Sequence, residues 1–577
     1  MSSEPATPDE RVEPAEEAVR QAAGERRTPD PVVVGVGLLG VLAVVLWGIL
    51  SQESLGAFGA RGLDWTIATF GWFFVVAANA FLVLAIVIAL SRFGRIRLGR
   101  DDDEPEFSNL AWIAMMFSAG MGIGLVFYAV AEPIDHFRVP PPASGVAPET
   151  GAAASVAMQY TLFHWTLHPW AIYAVAGLAL AYATFRKGRG NRISAVFHPL
   201  IGKRADGVAG QAIDLLAIFA TVFGTATSLG LGALQIAAGL HIVAGVEEAV
   251  SVELIVIGAF TLAFVVSAFS GLHKGIKWLS TTNVVLAVAL MFFVFVVGPT
   301  VYILDVLPAA VGNYLAGLVE ISTRTGAFAG SEWLGVWTIF YWAWWISWAP
   351  FVGTFIARIS RGRTVRQFLV GVLLVPSGAS AVWFAVMGGS ALRAQTTGSR
   401  DLVADVEAGT EQALFGLLDT LPLAAVTSVV AMVLIGIFFV TSADSASLVL
   451  GSLSSRGALY PHRALTVLWG VMIGAVAAVL LVAGGLGGLQ QATIMVALPF
   501  VVVMLGLAVA LLKEMAADPM AGGGPRRTRP HGLAEAVRTA RSYQEERIPR
   551  TRPVRRWYVL RRPEEPDDRE GTEGPRL

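Results

Sequence analysis

The chain has 577 residues, 55% of them hydrophobic and only 15% charged, with a mean hydropathy of +0.63, a formal net charge of −1 and no cysteine. This composition excludes a water-soluble globule, and the missing cysteine excludes disulfides and thiolate metal sites. What is left is a polytopic membrane protein.

Residues 1 to 30 are rich in Ala, Pro, Glu and Asp, and read as a disordered acidic extension rather than a basic leader that would be cleaved. Twelve apolar stretches of spanning length follow, at about 32–50, 66–91, 109–131, 153–185, 211–243, 252–269, 278–304, 332–357, 367–390, 422–452, 464–486 and 489–512. The moderately apolar segment 307–322, between the seventh and eighth, reads as an interfacial helix. Lys and Arg set the orientation. With the N-terminus inside, the clusters at Arg92, Arg95, Arg97 and Arg100 and at Arg358, Arg361, Arg363 and Arg366 fall in cytoplasmic loops, against isolated Arg61, Arg138, Arg324, Arg393 and Arg400 outside. The asymmetry predicts both termini in the cytoplasm.

The third span reads SAGMGIGLVFY, with Gly120, Gly122 and Gly124 at two-residue spacing. Each glycine costs about 1 kcal/mol against alanine inside a helix. The pattern suits either close packing through small residues or an unwound segment, whose freed N–H groups would meet a carboxylate and whose carbonyls would meet a sodium ion. The fourth span reads HWTLHPWAIY, where Pro169 should distort the helix and let Trp165, Trp170 and Tyr173 converge. His164 and His168 lack a third ligand and read as hydrogen-bonded helix residues, not as a metal site. In the fifth span Thr221 and Thr225 stand four apart, a spacing that serves backbone hydrogen bonding or a hard cation equally well.

The eighth span, WLGVWTIFYWAWWISWAPFVG, holds six of the sixteen tryptophans. On a helix Trp333, Trp337, Tyr341, Trp344 and Trp348 form one column, with Trp342 and Trp345 on its flank and Pro350 bending the end. Indole faces attract cations that cannot donate hydrogen bonds, so a methylated amine is the expected ligand. The eighth span then complements the third, and the unwound reading of its glycines is preferred. These two interrupted spans lie five apart, so spans 3 to 7 and 8 to 12 would form an inverted pair. The tenth span carries FFVTSADSAS, in which Thr441 and Ser442 offer cation ligands and Asp444 is either a structural hydrogen-bond partner or a coupling group. From about 516 a Gly/Pro linker leads into a basic tail to 577, read either as a solvated topology signal or as a sensor of anionic lipid.

Together these motifs resemble the betaine/choline/carnitine transporter (BCCT) family, whose hallmark is similar to WAWWISWAPFVGTFIARISRGR at 342–363. The likeness extends through GMGIG, HPWAIY, GLGALQI at 230–236 and TSADSAS, over about residues 30–515. It implies an all-α transporter of twelve transmembrane helices, with a leucine-transporter-like inverted repeat, in a homotrimer in the cell's inner membrane. It implies no enzyme activity, no organic cofactor and no nucleic-acid partner. The family's aromatic box matches Trp165, Trp170, Tyr173 and Trp345, with Trp344 and Trp348 on the adjoining path and Gly120, Gly122 and Gly124 at the unwound segment. One sodium site would use backbone oxygens near Ser118 and Met121, the Phe438 carbonyl, Thr441 and Ser442; another would use Thr221 and Thr225 near Phe351. Choline carriers of the family have an acidic residue where Gly124 stands, which favours a zwitterion such as glycine betaine here. The Thr441 and Ser442 hydroxyls favour sodium coupling. The alternatives are a proton-coupled or exchange carrier for choline or carnitine, and a symporter for ectoine or proline.

Overall fold

A computed structural model of the protein describes residues 29–522 apart from 121, 271–272 and 459, with backbone alone at 117–120, 269–270, 273–278 and 328–329. The described residues form helices and no strand; a lone antiparallel bridge pairs Arg97 with Thr364. Nine of those helices are long and apolar enough to cross a membrane, which bears out the all-helical membrane fold.

Helix α1 (Pro31–Leu50) starts at Asp30, whose carboxylate accepts from the Val32 and Val33 amides while Pro31 takes the first helical position. Asp30 is buried and also takes hydrogen bonds from Gln211 and Arg456, so the last residue of the expected extension is already anchored. The rest of that expected extension, 1–28, and most of the expected tail, from 523, lie outside the described residues. Helix α2 (Gln52–Leu90) starts well before the second apolar stretch. Its 39 residues reach about 58 Å, roughly twice a hydrocarbon core, because turns carrying Glu53, Arg61 and Asp64 continue the helix though they are too polar to span.

The third and fourth spans are each two helices. Helix α3 (Asn109–Gly120) stops before Gly122, which is extended at φ −149° and ψ 179°, and α4 (Ile123–Arg138) starts after it. Helix α5 (Gly151–Trp165) and helix α6 (Leu167–Ala181) meet at Thr166, with φ −116° and ψ −111°. Pro169 explains this break: it has no N–H for the Trp165 carbonyl, and its ring crowds that carbonyl. Helices α7 (Val208–Ala244), α8 (Val250–Ser270), α9 (His273–Val297) and α10 (Thr300–Ser322) follow. Helix α10 is itself long and apolar enough to cross, where only a shorter interfacial helix was expected from 307.

The eighth span departs from expectation. A π-turn at Gly335–Ile339 precedes α11 (Phe340–Ile359), and Pro350 sits inside that continuous helix. One missing N–H does not end a helix whose residues from Phe340 to Pro350 are all buried. Helix α12 (Val365–Thr397) opens on a capping box of Thr364 and Gln367. After α13 (Ala424–Ser454), the last two spans run together as α14 (Arg463–Ala516), which turns at Gly484 and Gly485. Helix α11 lies centrally, packed on α3, α6, α7 and α14, so both broken spans face the tryptophan-rich helix.

Candidate binding site

The two breaks and α11 enclose one cavity. Gly122 and Gly124 come from the α3/α4 break, Trp165, Trp170 and Tyr173 from the α5/α6 break, and Trp344, Trp345 and Trp348 from α11. Leu125, Pro169 and Ser380 complete the walls, and the space between them, open mouth included, is about 450 Å³. Eight expected solute-site residues are therefore brought together, while Gly120 is the last residue of α3. Ser380 carried no sequence signal; it is one of many small residues on α12.

The rings meet at steep angles. Trp345 is edge-on to Trp165 (5.0 Å, 79°) and to Tyr173 (6.0 Å, 84°), and it is stacked on Trp344 (5.2 Å, 14°). Indole N–H groups are tied to fixed acceptors: Trp344 to Ser228 Oγ (3.2 Å), Trp345 to the His164 carbonyl (3.0 Å) and Trp348 to the Gly224 carbonyl (2.9 Å). The His164 carbonyl belongs to the last turn of α5, where carbonyls lack intrahelical partners. Breaking the helix thus supplies the acceptor that orients Trp345. Gly124 has to be small, since a Cβ there would stand 2.2 Å from the Trp344 ring.

Not all of the expected tryptophan column faces this cavity. Trp337 still stacks on Tyr341 (6.1 Å, 29°), but it and Trp333 lie further along the helix than the cavity and pack around His136, at 4.5 and 5.1 Å. Trp342 points another way and stacks on His168 (5.2 Å, 26°), which in turn meets Asn79 Oδ1 at 3.2 Å.

Behind the cavity lies a group that sequence reading missed. Glu132 is wholly buried; its Oε1 meets His164 Nδ1 at 2.7 Å, and its Oε2 accepts from Trp165 Nε1 (2.7 Å) and the Tyr341 hydroxyl (2.5 Å). His136 Nε2 stands 3.3 Å from Oε1, at ion-pair distance but without hydrogen-bond geometry. The third apolar stretch ends at 131, one residue short of Glu132, so hydropathy leaves this acid outside the membrane; the one sequence signal is the Glu132/His136 pair, four apart. Two ligands of one tetrahedral ion, each about 2 Å from it, stand roughly 3.3 Å apart. The 2.7 Å Glu132–His164 contact is tighter than that, so as arranged here the two share a hydrogen bond, although Glu132, His136 and His164 bring three potential ligand atoms within 4.8 Å of one another. Asp444, singled out from sequence, is only half-buried.

The expected sodium ligands divide. Thr221 donates to the Ala217 carbonyl (2.8 Å), whereas the Thr225 hydroxyl is buried without a partner among the described residues, beside the Gly224 carbonyl that holds Trp348. Phe351 packs edge-on to that tryptophan at 5.5 Å. In the other set Thr441 donates to the carbonyls of Ile437 (2.9 Å) and Phe438 (3.3 Å), and Ser442 beside it is half-buried. Met121 and the side chain of Ser118 lie outside the described residues.

A family model of betaine/carnitine/choline transporters matches residues 32–520. The chain belongs to this family. It is similar to the glycine betaine transporter OpuD of Bacillus subtilis, with 46% identity over 82% of this chain and 92% of that one. It is similar also to the betaine/ectoine transporter LcoP of Corynebacterium glutamicum, at 41% over 85% of this chain and 79% of that one. The ectoine/hydroxyectoine transporter of Virgibacillus pantothenticus is 42% identical over 81% of this chain and 92% of its own. As a member of the betaine/carnitine/choline family the chain is a multi-pass membrane transporter and not an enzyme.

Proposed function

We propose that this family member is a sodium-coupled symporter that imports glycine betaine, or a zwitterion of similar shape, by alternating access. The cavity carries the reading: aromatic rings surround it, and none of its described lining residues is charged. Such walls attract a quaternary ammonium through ring faces, while a primary ammonium, which needs acceptors, gains little. The α3/α4 break lies at the same cavity, where freed backbone N–H groups suit the solute's carboxylate. Gly124 packs against Trp344, so an acidic side chain there, as in choline carriers, would have to displace the wall.

Sodium would bind near Thr221, Thr225 and Phe351, where the unpartnered Thr225 hydroxyl fits a hard cation, and near Phe438, Thr441 and Ser442. The driving force suffices. One charge crossing about 100 mV is worth roughly 2.3 kcal/mol, so two sodium ions sustain on the order of a thousandfold solute gradient. The same reading places twelve crossings in the inner membrane, with the inverted halves meeting at the cavity, both termini in the cytoplasm and three protomers per assembly. The basic tail would meet anionic lipid and tune transport to osmotic stress. Ectoine is the second solute to consider, because two of the similar transporters are named for it.

Radiolabelled glycine betaine uptake into proteoliposomes, with and without an inward sodium gradient and against excess ectoine, proline or choline, tests this. Sodium-dependent accumulation that excess choline leaves intact is expected. Sodium-independent uptake, or uptake that choline abolishes, would support a proton-coupled or exchange carrier instead.

A further inference from the structure

Glu132 holds the cage from behind. It is fully buried, and its Oε2 takes both the Trp165 N–H and the Tyr341 O–H. Trp165 lines the cavity directly. Tyr341 stacks on Trp344 (6.3 Å, 29°) and on Trp345 (6.2 Å, 15°), which line it too. An indole N–H can only donate, so Oε2 acts as an acceptor. On the other oxygen, His164 Nδ1–H can donate while its Nε2, 3.0 Å from the Thr338 hydroxyl, accepts from that group. With His164 in that tautomer, three donors converge on Glu132, as on a carboxylate anion.

We propose that the Glu132 carboxylate is the counter-charge of the aromatic cage, selecting solutes for a cationic head through the Trp165 and Tyr341 rings. Hydrogen bonding of an indole N–H and a phenol O–H to an anion pushes electron density into the rings and makes their faces more negative. A cation in the cavity gains from this, directly at Trp165 and through Trp344 and Trp345, on which Tyr341 stacks; a neutral group of the same shape does not. Because the charge stands behind the rings, it offers no hydrogen-bond acceptor to primary ammonium ions and does not face the solute's own carboxylate. Glu132 is thus a specificity-determining positioning residue, a role that rests on the reading of the cavity as a quaternary-ammonium site.

The test uses the purified full chain and two ligands of one shape: glycine betaine, and 3,3-dimethylbutanoate, in which a tert-butyl group replaces the trimethylammonium. Binding is read by tryptophan fluorescence, with the weaker ligand measured by competition. Glu132→Gln is expected to weaken betaine by roughly tenfold or more while changing the isostere less than about twofold, and Glu132→Asp should keep most of the preference for the cation. Tyr341→Phe, which removes one of the two hydrogen-bonded links and leaves the charge, should show a smaller loss of the same kind. A parallel loss for both ligands in Glu132→Gln, or an unchanged betaine affinity, would overturn the proposal. If the unaltered protein does not bind betaine, the solute assignment fails and this proposal fails with it, a result distinct from either.

Discussion

Trp345 touches three rings of the cage, edge-on to Trp165 and Tyr173 and face-on to Trp344. Replacing it with Leu keeps the site apolar but removes a cation-binding face, worth about 1–2 kcal/mol when desolvated. The half-saturating betaine concentration in proteoliposomes should rise about tenfold, with membrane insertion unchanged on immunoblots. Thr225 supplies a sharper test. Its hydroxyl is buried and unpartnered, so Thr225→Val, nearly isosteric, should leave stability in sodium-free buffer unchanged or improved. If that hydroxyl binds the coupling ion, the sodium concentration for half-maximal uptake should rise by about tenfold at constant betaine; an unchanged sodium dependence would remove Thr225 from the site. At this scale the aromatic types and the glycines were legible, because each is costly or unusual in a membrane helix. Glu132 was not, because nothing in a linear string marks an acid at a span's end as turned inward.

Helix breaks show which local rules survive in the fold. The glycine series ends α3 and Pro169 ends α5, as their backbone chemistry requires. Pro350 has the same chemistry and ends nothing, because buried neighbours hold α11. The turn in α14 offers a paired control. Gly485 sits at φ 55° and ψ −141°, a region that only glycine populates readily, while Gly484 has a negative φ (−167°, ψ 19°), and a Cβ at either would meet open space. Gly485→Ala should therefore cost about 1–3 kcal/mol through backbone strain, and Gly484→Ala much less. Comparing the melting temperatures of both variants in detergent checks this; equal losses would assign the turn to packing.

On the scale of the whole molecule, the end of α14 is clamped onto earlier loops. Arg186 donates twice to Asp518, at 2.9 Å each, and also bonds Asp101 and the Gly99 carbonyl; Tyr182 adds a 2.7 Å bond to Asp518. Burial pushes the Asp518 carboxyl up, but hydrogen bonds from Arg186, Tyr182 and the Met520 amide, with the Arg186 charge, leave it below the usual carboxylate range. A lowered carboxyl contributes stability above its unfolded value of about 3.9 and loses it only as pH falls through the folded value. Asp518→Asn should thus lower stability by about 3 kcal/mol, equally at pH 8 and pH 5, with the difference shrinking below about pH 4. Thermal unfolding across that range measures it. Deleting 523–577 spares this clamp, so it should abolish activation of uptake by high osmolality without lowering the melting temperature; a retained osmotic response would sink the sensing role of the tail.

Composition and hydropathy by themselves determined that this chain is an all-helical membrane protein, because twenty apolar residues in a row have few other stable fates. The motifs also determined its family and most of the cage, because indoles, glycines and a proline at fixed spacings keep their chemistry in any fold. Tertiary structure alone decided which tryptophans face the cavity: Trp333 and Trp337 belong to the same column as Trp344 but lie further along the helix, where they pack around His136. It alone decided that Glu132 stands behind Trp165 and Tyr341, which lie 33 and 209 residues further along the chain, because burial and hydrogen-bond convergence are properties of packed helices and not of any one of them.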